Sequence, residues 1–235
     1  MRVTTRTHQG HVRLINQDAI LLLDKPYGLY GVADGMGGHQ AGEVASRMAA
    51  ILLTRVLEGA VPDESLLRGG MEEVNQLIFE EQGRHDELRG MGTTLTVLWE
   101  DGDKLLLGHV GDSRAYRLRN GEIVQLTTDH SMVGELLRAG YITQEEAARH
   151  PYRNVITRAV GTAASIEIDI STLDKLPGDR YLICSDGLTE YADAGIIRRL
   201  LSTRGLEDAA DELLDIALEG GGRDNITLLI AEAPR

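Results

Sequence analysis

"TTLTVLWEDGDKLLLGHVGDSRAYRLRNGEIVQLT", residues 93–127, decides the fold. Short apolar runs are separated here by two turn dipeptides, Asp101-Gly102 and Asn120-Gly121. A tight hairpin needs positive φ at its centre, which Asp-Gly and Asn-Gly adopt at little cost. The stretch therefore predicts a meander of strands over 93–100, 104–110, 113–118 and 122–127. Successive hairpins make antiparallel sheet, whereas a doubly wound parallel sheet needs a crossover between neighbouring strands.

Outward from the meander, "DAILLL" (18–23), 29–33, "RYLIC" (180–184) and "NITLLIA" (225–231) read as further buried strands. Helical periodicity is kept apart from them. In 42–57, Val44, Ala45, Met48, Ala49, Leu52, Leu53 and Val56 fall on one face. Residues 66–82 and 205–218 show the same spacing, the former interrupted by Gly69-Gly70. Thr143 with Glu146 matches a capping box and predicts a short helix. Strands and helices in separate blocks imply packed sheets with helices outside. With no repeat, low-complexity tract or proline-rich linker, residues 1–235 are expected to form one domain.

The 235 residues carry 37 acidic and 24 basic side chains, a formal net charge of −13. That excess argues against nucleic acid or an anionic membrane surface as a partner. The one cysteine, Cys184, has no internal disulfide partner, which suits a reducing compartment. The first residues lack an apolar signal core, and no run approaches a membrane span. A cytoplasmic protein or cytoplasmic domain is expected.

Four aspartates stand beside glycines at strand ends. Asp34 closes "LYGVA" and precedes Gly35, Gly37 and Gly38; Asp186 follows "RYLIC" and precedes Gly187. Asp224 follows Gly220-Gly221-Gly222 and precedes a strand, and Asp112 sits after Gly111 between two strands. A buried carboxylate is costly unless paired or holding a cation. Hard ions such as Mg²⁺ and Mn²⁺ take carboxylate and carbonyl oxygens, and glycine lets the main chain approach. Any single Asp-Gly is more simply a turn, and Asp101-Gly102 is read so. Asp34, Asp186 and Asp224 together bring a shared metal site into contention with plain turns. Cys184 is not a phosphate-cradle nucleophile, because Glu190 stands six residues later where an arginine would be needed. It reads as a small apolar strand residue. A dinucleotide loop at Gly35-Met36-Gly37 would need a third glycine at position 40, which is Gln40.

"RLINQDA" (13–19), "GVADGMGGHQAGEVAS" (31–46), "GTTLTVL" (92–98), "GHVGDSRAYRLRNGEIVQLTTDHS" (108–131), "NVITRAVG" (154–161), "GDRYLICSDGL" (178–188) and "GGRDNITLLI" (221–230) follow one another in a familiar order. In these blocks the chain resembles the PP2C-type, metal-dependent protein serine/threonine phosphatases of bacteria. The resemblance implies an α+β fold, a four-layer α/β/β/α sandwich of two antiparallel sheets flanked by helices. It implies hydrolysis of phosphoserine and phosphothreonine by a water activated at two Mn²⁺ or Mg²⁺ ions, with a third ion in some members. Asp34 would bridge the two ions, the Gly35 carbonyl would bind one, and Asp186 and Asp224 would complete the other. Asp112 would help hold the third ion, and Asp18 would act behind the ligands or through water. Arg13 would grip the phosphate, and Asn225 would orient Asp224. Many members carry an acid where Gln17 stands, so the ion near Gly35 is expected to be held mostly by water. His39 is read either as proton donor or as a hydrogen-bonded residue at a helix start. Residues 131–152 resemble the family's flap, expected to tune substrate choice, with His130 and His150 structural. Expected partners are phosphorylated proteins, including a Ser/Thr kinase and its targets; no nucleic acid or membrane is expected, and a monomer is. The alternative is a catalytically weak relative serving as a regulatory or binding module.

Overall fold

The computed structural model describes residues 1–38 and 41–234. Along these the chain forms β1 (Arg2–His8), β2 (Asp18–Leu23), β3 (Leu29–Met36), α1 (Ala41–Leu57), α2 (Glu64–Arg84), β4 (Gly92–Thr93), β5 (Leu95–Asp101), β6 (Lys104–Val110), β7 (Arg114–Arg119) and β8 (Glu122–Gln125). There follow α3 (Met132–Arg138), α4 (Gln144–Ala148), β9 (Asp169–Asp174), β10 (Arg180–Cys184), α5 (Asp186–Thr189), α6 (Ala194–Thr203), α7 (Leu206–Glu219) and β11 (Ile226–Glu232). Among the described residues no helix is long and apolar enough to cross a membrane.

One sheet runs β1-β11-β10-β7-β8 and the other β2-β3-β5-β6-β9, with β4 paired to β3. Every pairing is antiparallel, as the hairpins predict. Period-two alternation sends one set of side chains from each sheet inward: Tyr30, Val32, Leu98 and Leu107 meet Ala115, Tyr181, Ile183 and Leu229 in a buried apolar layer between the sheets. The opposite faces take the helices. Ala45, Ala49 and Leu53 of α1 and Met71, Val74 and Ile78 of α2 pack on Leu21, Leu29, Val97 and Trp99. Leu200, Leu201, Ala210 and Leu213 of α6 and α7 pack on Leu182, Leu228 and Ile230. The architecture is the expected four-layer sandwich.

Three strands of the meander match their expected runs closely. The first is split: β4 ends at Thr93 and β5 starts at Leu95, because Thr94 turns aside to bond Asp34 through both its main chain and its hydroxyl. Helix α2 runs unbroken through Gly69-Gly70, and Gly70 serves its packing on α1: a Cβ there would stand 3.2 Å from Leu53 and Val56. The capping box of α4 is present. Cys184 is fully buried in β10, and burial pushes its thiol up to about 12. The polar strands β1 and β9 and helix α6 are additions to the sequence reading.

Candidate metal centre

The register brings the expected residues to one end of the sandwich. His8 at the end of β1 pairs with Ile226 at the start of β11, and Cys184 at the end of β10 with Arg114 at the start of β7. The β1–β2 connection with Arg13, the Gly111–Asp112 link between β6 and β7, Asp186 after β10 and Asp224 before β11 therefore share a rim. Asp18 and Asp34 are direct partners across β2 and β3, so their side chains lie on one face. Two like charges so placed repel unless a proton or a cation lies between them.

Electrostatics follow from that crowding. Burial first, then Asp18, Asp186, Asp112 and Asp224, push the Asp34 carboxyl well above the usual range. Asp186 is pushed up to about 8 by burial, then by Asp112 and Asp224. Burial raises Asp18 to about 6, although Ser185 and Thr227 hydroxyls donate to it. Asp112 reaches about 6, from burial and then Asp129. The Ser185 hydroxyl donates to Asp18 Oδ2 at 2.9 Å, while the buried Oδ1 atoms of Asp18 and Asp112 have no partner among the described residues. Such an excess of negative charge, made entirely of hard oxygens, fits divalent cations.

Close backbone approach supports the site. A Cβ at Gly35 would fall 2.0 Å from the Gly42 oxygen and 2.5 Å from the Gln17 oxygen, so only glycine fits between α1 and the β1–β2 loop. The Gln17 carbonyl accepts from the Gly35 N–H at 3.1 Å. Gln17 thus shapes this corner through its main chain, with its amide nitrogen beside Gly42.

Arg13 Nη2 donates to Asp224 Oδ2 at 2.6 Å. The two residues stand 211 apart in the chain, so the pair joins the β1–β2 connection to the start of β11. Asn225 donates its main-chain N–H to Asp224 Oδ1 at 2.8 Å. Its side chain donates to the carbonyls of Gln9 and Ile15 at 2.9 Å and accepts from the Gln17 N–H at 2.8 Å, bracing the loop that presents Arg13. Among the described residues no three Asp, Glu, His or Cys side chains yet close on one ion. Asp224 is turned to Arg13 and Asp18 to Ser185. His39 lies outside the described residues.

A groove of about 410 Å³ opens from Asp112, Asp186 and Asp224 between the segment 131–154 and α5–α6. The Arg153–Glu190 ion pair at 3.0 Å crosses it.

In the metal-free protein these carboxyls hold protons that the unfolded chain releases near pH 4. Folded pKa values are the higher ones, so stability from these groups is full below about pH 4. It falls as pH rises through about 6 and 8. Cations compete with the same protons, so the expected gain in Tm from Mn²⁺ grows from pH 5.5 to pH 8.5. Thermal unfolding with EDTA or Mn²⁺ checks this; a gain independent of pH would contradict it.

A family profile described as Protein phosphatase 2C matches residues 6–225. The serine/threonine protein phosphatase PstP of Mycobacterium tuberculosis is 39% identical over 235 residues, which cover 99% of this chain but 45% of PstP. The chain thus spans less than half the length of that relative. The serine/threonine phosphatase stp of Listeria monocytogenes is 39% identical over 241 residues, covering 99% of this chain and 96% of stp. The crystal structure of the catalytic domain of PstP in complex with 2 manganese ions superposes with a TM-score of 0.90 at 36% identity, covering 100% of this chain and 98% of that one.

Proposed function

The chain belongs to the protein phosphatase 2C family, and from that membership we propose that it hydrolyses phosphoserine and phosphothreonine in proteins at a pair of Mn²⁺ or Mg²⁺ ions. One observation carries the reading: aspartates from four separate parts of the sequence share one rim and raise one another's pKa. Asp34, the Gly35 carbonyl, Asp186 and Asp224 would hold the two ions, and Asp112 a third. When bound, the pair supplies an acidified water for in-line attack and neutralises charge on the transferring phosphoryl group.

The chain's own residues do the rest. Arg13, half-exposed at the rim, exchanges Asp224 for the phosphoryl oxygens, which its planar fork suits. That exchange frees Asp224 for its ion. The loop brace at Asn225 fixes how far Arg13 reaches. Asp18, held by Ser185, keeps a carboxylate beside Asp34. The departing serine or threonine oxygen takes its proton from water or from His39. Residues 131–152 act as a flap over the groove and select among phosphoproteins, and residues 1–235 act as one phosphatase unit. The expected partners are a Ser/Thr kinase and its targets, met by a monomer in the cytoplasm.

Phosphate release from p-nitrophenyl phosphate and from a phosphothreonine peptide tests this. Multiple turnover is expected with Mn²⁺ and none with EDTA. Silence with every divalent ion would favour the regulatory or binding module, although no expected ligand has been lost.

A further inference from the structure

We propose that His130 is a positioning residue that holds Asp112 and both stems of the flap segment through one ring. The part concerning Asp112 rests on the reading of that carboxylate as ion-holding. His130 is 2% exposed, yet it makes polar contacts on every side. The Gly111 N–H donates to Nδ1 at 3.0 Å, and the Gly111 carbonyl accepts from the His130 N–H at 2.7 Å. Two bonds thus bracket the residue immediately before Asp112. Gly111 has no freedom to slip away: its φ is +114°, and a Cβ there would fall 2.6 Å from Thr94. The Thr94 hydroxyl in turn accepts from the Asp34 N–H at 2.9 Å.

Because Nδ1 accepts, the neutral ring carries its hydrogen on Nε2, which donates to Asp169 Oδ2 at 3.1 Å. Arg158 donates to the other Asp169 oxygen at 3.0 Å. The His130 carbonyl accepts from Thr157 N–H at 2.8 Å, and Ser131, the next residue, caps α3 and bridges to Ile156. The chain enters and leaves the flap segment beside this one residue, its carbonyl on Thr157 and its ring linked through Asp169 to Arg158. The Nδ1 side therefore sets Asp112, and the Nε2 side sets the flap stem at Arg158. Groups behind metal ligands that orient them are worth roughly 10–100-fold in metal affinity.

Two substitutions separate the sides. The amide nitrogen of His130→Gln reaches the Nε2 position but leaves Gly111 N–H without its acceptor. The oxygen of His130→Asn takes the Nδ1 position but falls short of Asp169. Calorimetric Mn²⁺ titration and limited trypsin cleavage at Arg138 and Arg149 read the two sides without turnover. A failure of the phosphatase reading would therefore show separately, in the wild-type assay. The Gln variant is expected to weaken the weakest Mn²⁺ site roughly tenfold with cleavage unchanged. The Asn variant, losing the bond to Asp169, is expected to speed cleavage roughly tenfold with Mn²⁺ binding unchanged. Equal changes in both readouts for both variants, or a lowered Tm with neither readout moved, would overturn the proposal.

Discussion

Asp34→Asn is expected to lower Mn²⁺-dependent kcat/KM by at least about 10³-fold, about 4 kcal/mol at the barrier, while making the metal-free protein more stable. Both effects come from one carboxylate. Asp34 faces Asp18 in register and lies within the field of Asp112, Asp186 and Asp224. Asparagine has nearly the same shape but only one oxygen acceptor and no charge, so the ligand proposed to be shared between two cations would be lost. Without cations the same change relieves repulsion. Each kcal/mol so recovered raises Tm by about 2–4 °C in a chain of this size. The variant should therefore be inactive yet melt higher than wild type in EDTA, and lower than wild type in saturating Mn²⁺. Kinetics and paired thermal melts check the two halves. An inactive variant that melts lower in EDTA would mean that Asp34 is structural.

Arg13→Ala is expected to cost about 10²-fold in kcat/KM with little loss of stability. Its ion pair with Asp224 is half-exposed, and such pairs contribute about 0–1 kcal/mol. Arg13 is itself held more firmly charged by Asp224, and the fields of Asp34 and Asp186 act the same way. Removing it would withdraw the fork proposed to meet the phosphoryl oxygens and would free Asp224 from its ion pair. Inorganic phosphate should then inhibit more weakly, while Mn²⁺ activates at an equal or lower concentration. Arg13→Lys restores charge but not two-pronged contact, so partial recovery is expected. Unchanged phosphate inhibition in Arg13→Ala would remove this arginine from the phosphate site.

What was legible in the sequence follows from where information is local. Hairpin turns and the apolar strands β3, β5, β6, β10 and β11 announce themselves because burial on both sides demands near-continuous apolar runs. Strand β1, "RVTTRTH", gives no such signal. It is an edge strand paired along its whole length with β11, and its arginines reach distant acids, Arg2 to Glu232 and Arg6 to Glu207 and Asp211. β9, "DISTLD", is likewise an edge with mostly exposed residues. Helix α6 did carry a signal: Asp193 caps it, and Ile196, Ile197, Leu200 and Leu201 follow at helical spacing. At the site, nearby glycines marked the strand-end carboxylates, and the family blocks implied their roles. The Asp18–Asp34 register, the Arg13–Asp224 pair and the Asn225 brace depend on partners up to 216 residues apart. No local pattern encodes these.

Manganese anomalous scattering from crystals of this protein tests the central claim most directly. Two strong peaks should lie at the rim, one touching Asp34, Asp186 and Asp224 and the other touching Asp34 and the Gly35 carbonyl. Peaks elsewhere on the surface, with Asp224 still bound to Arg13 and Asp34 bearing no ion, would contradict it.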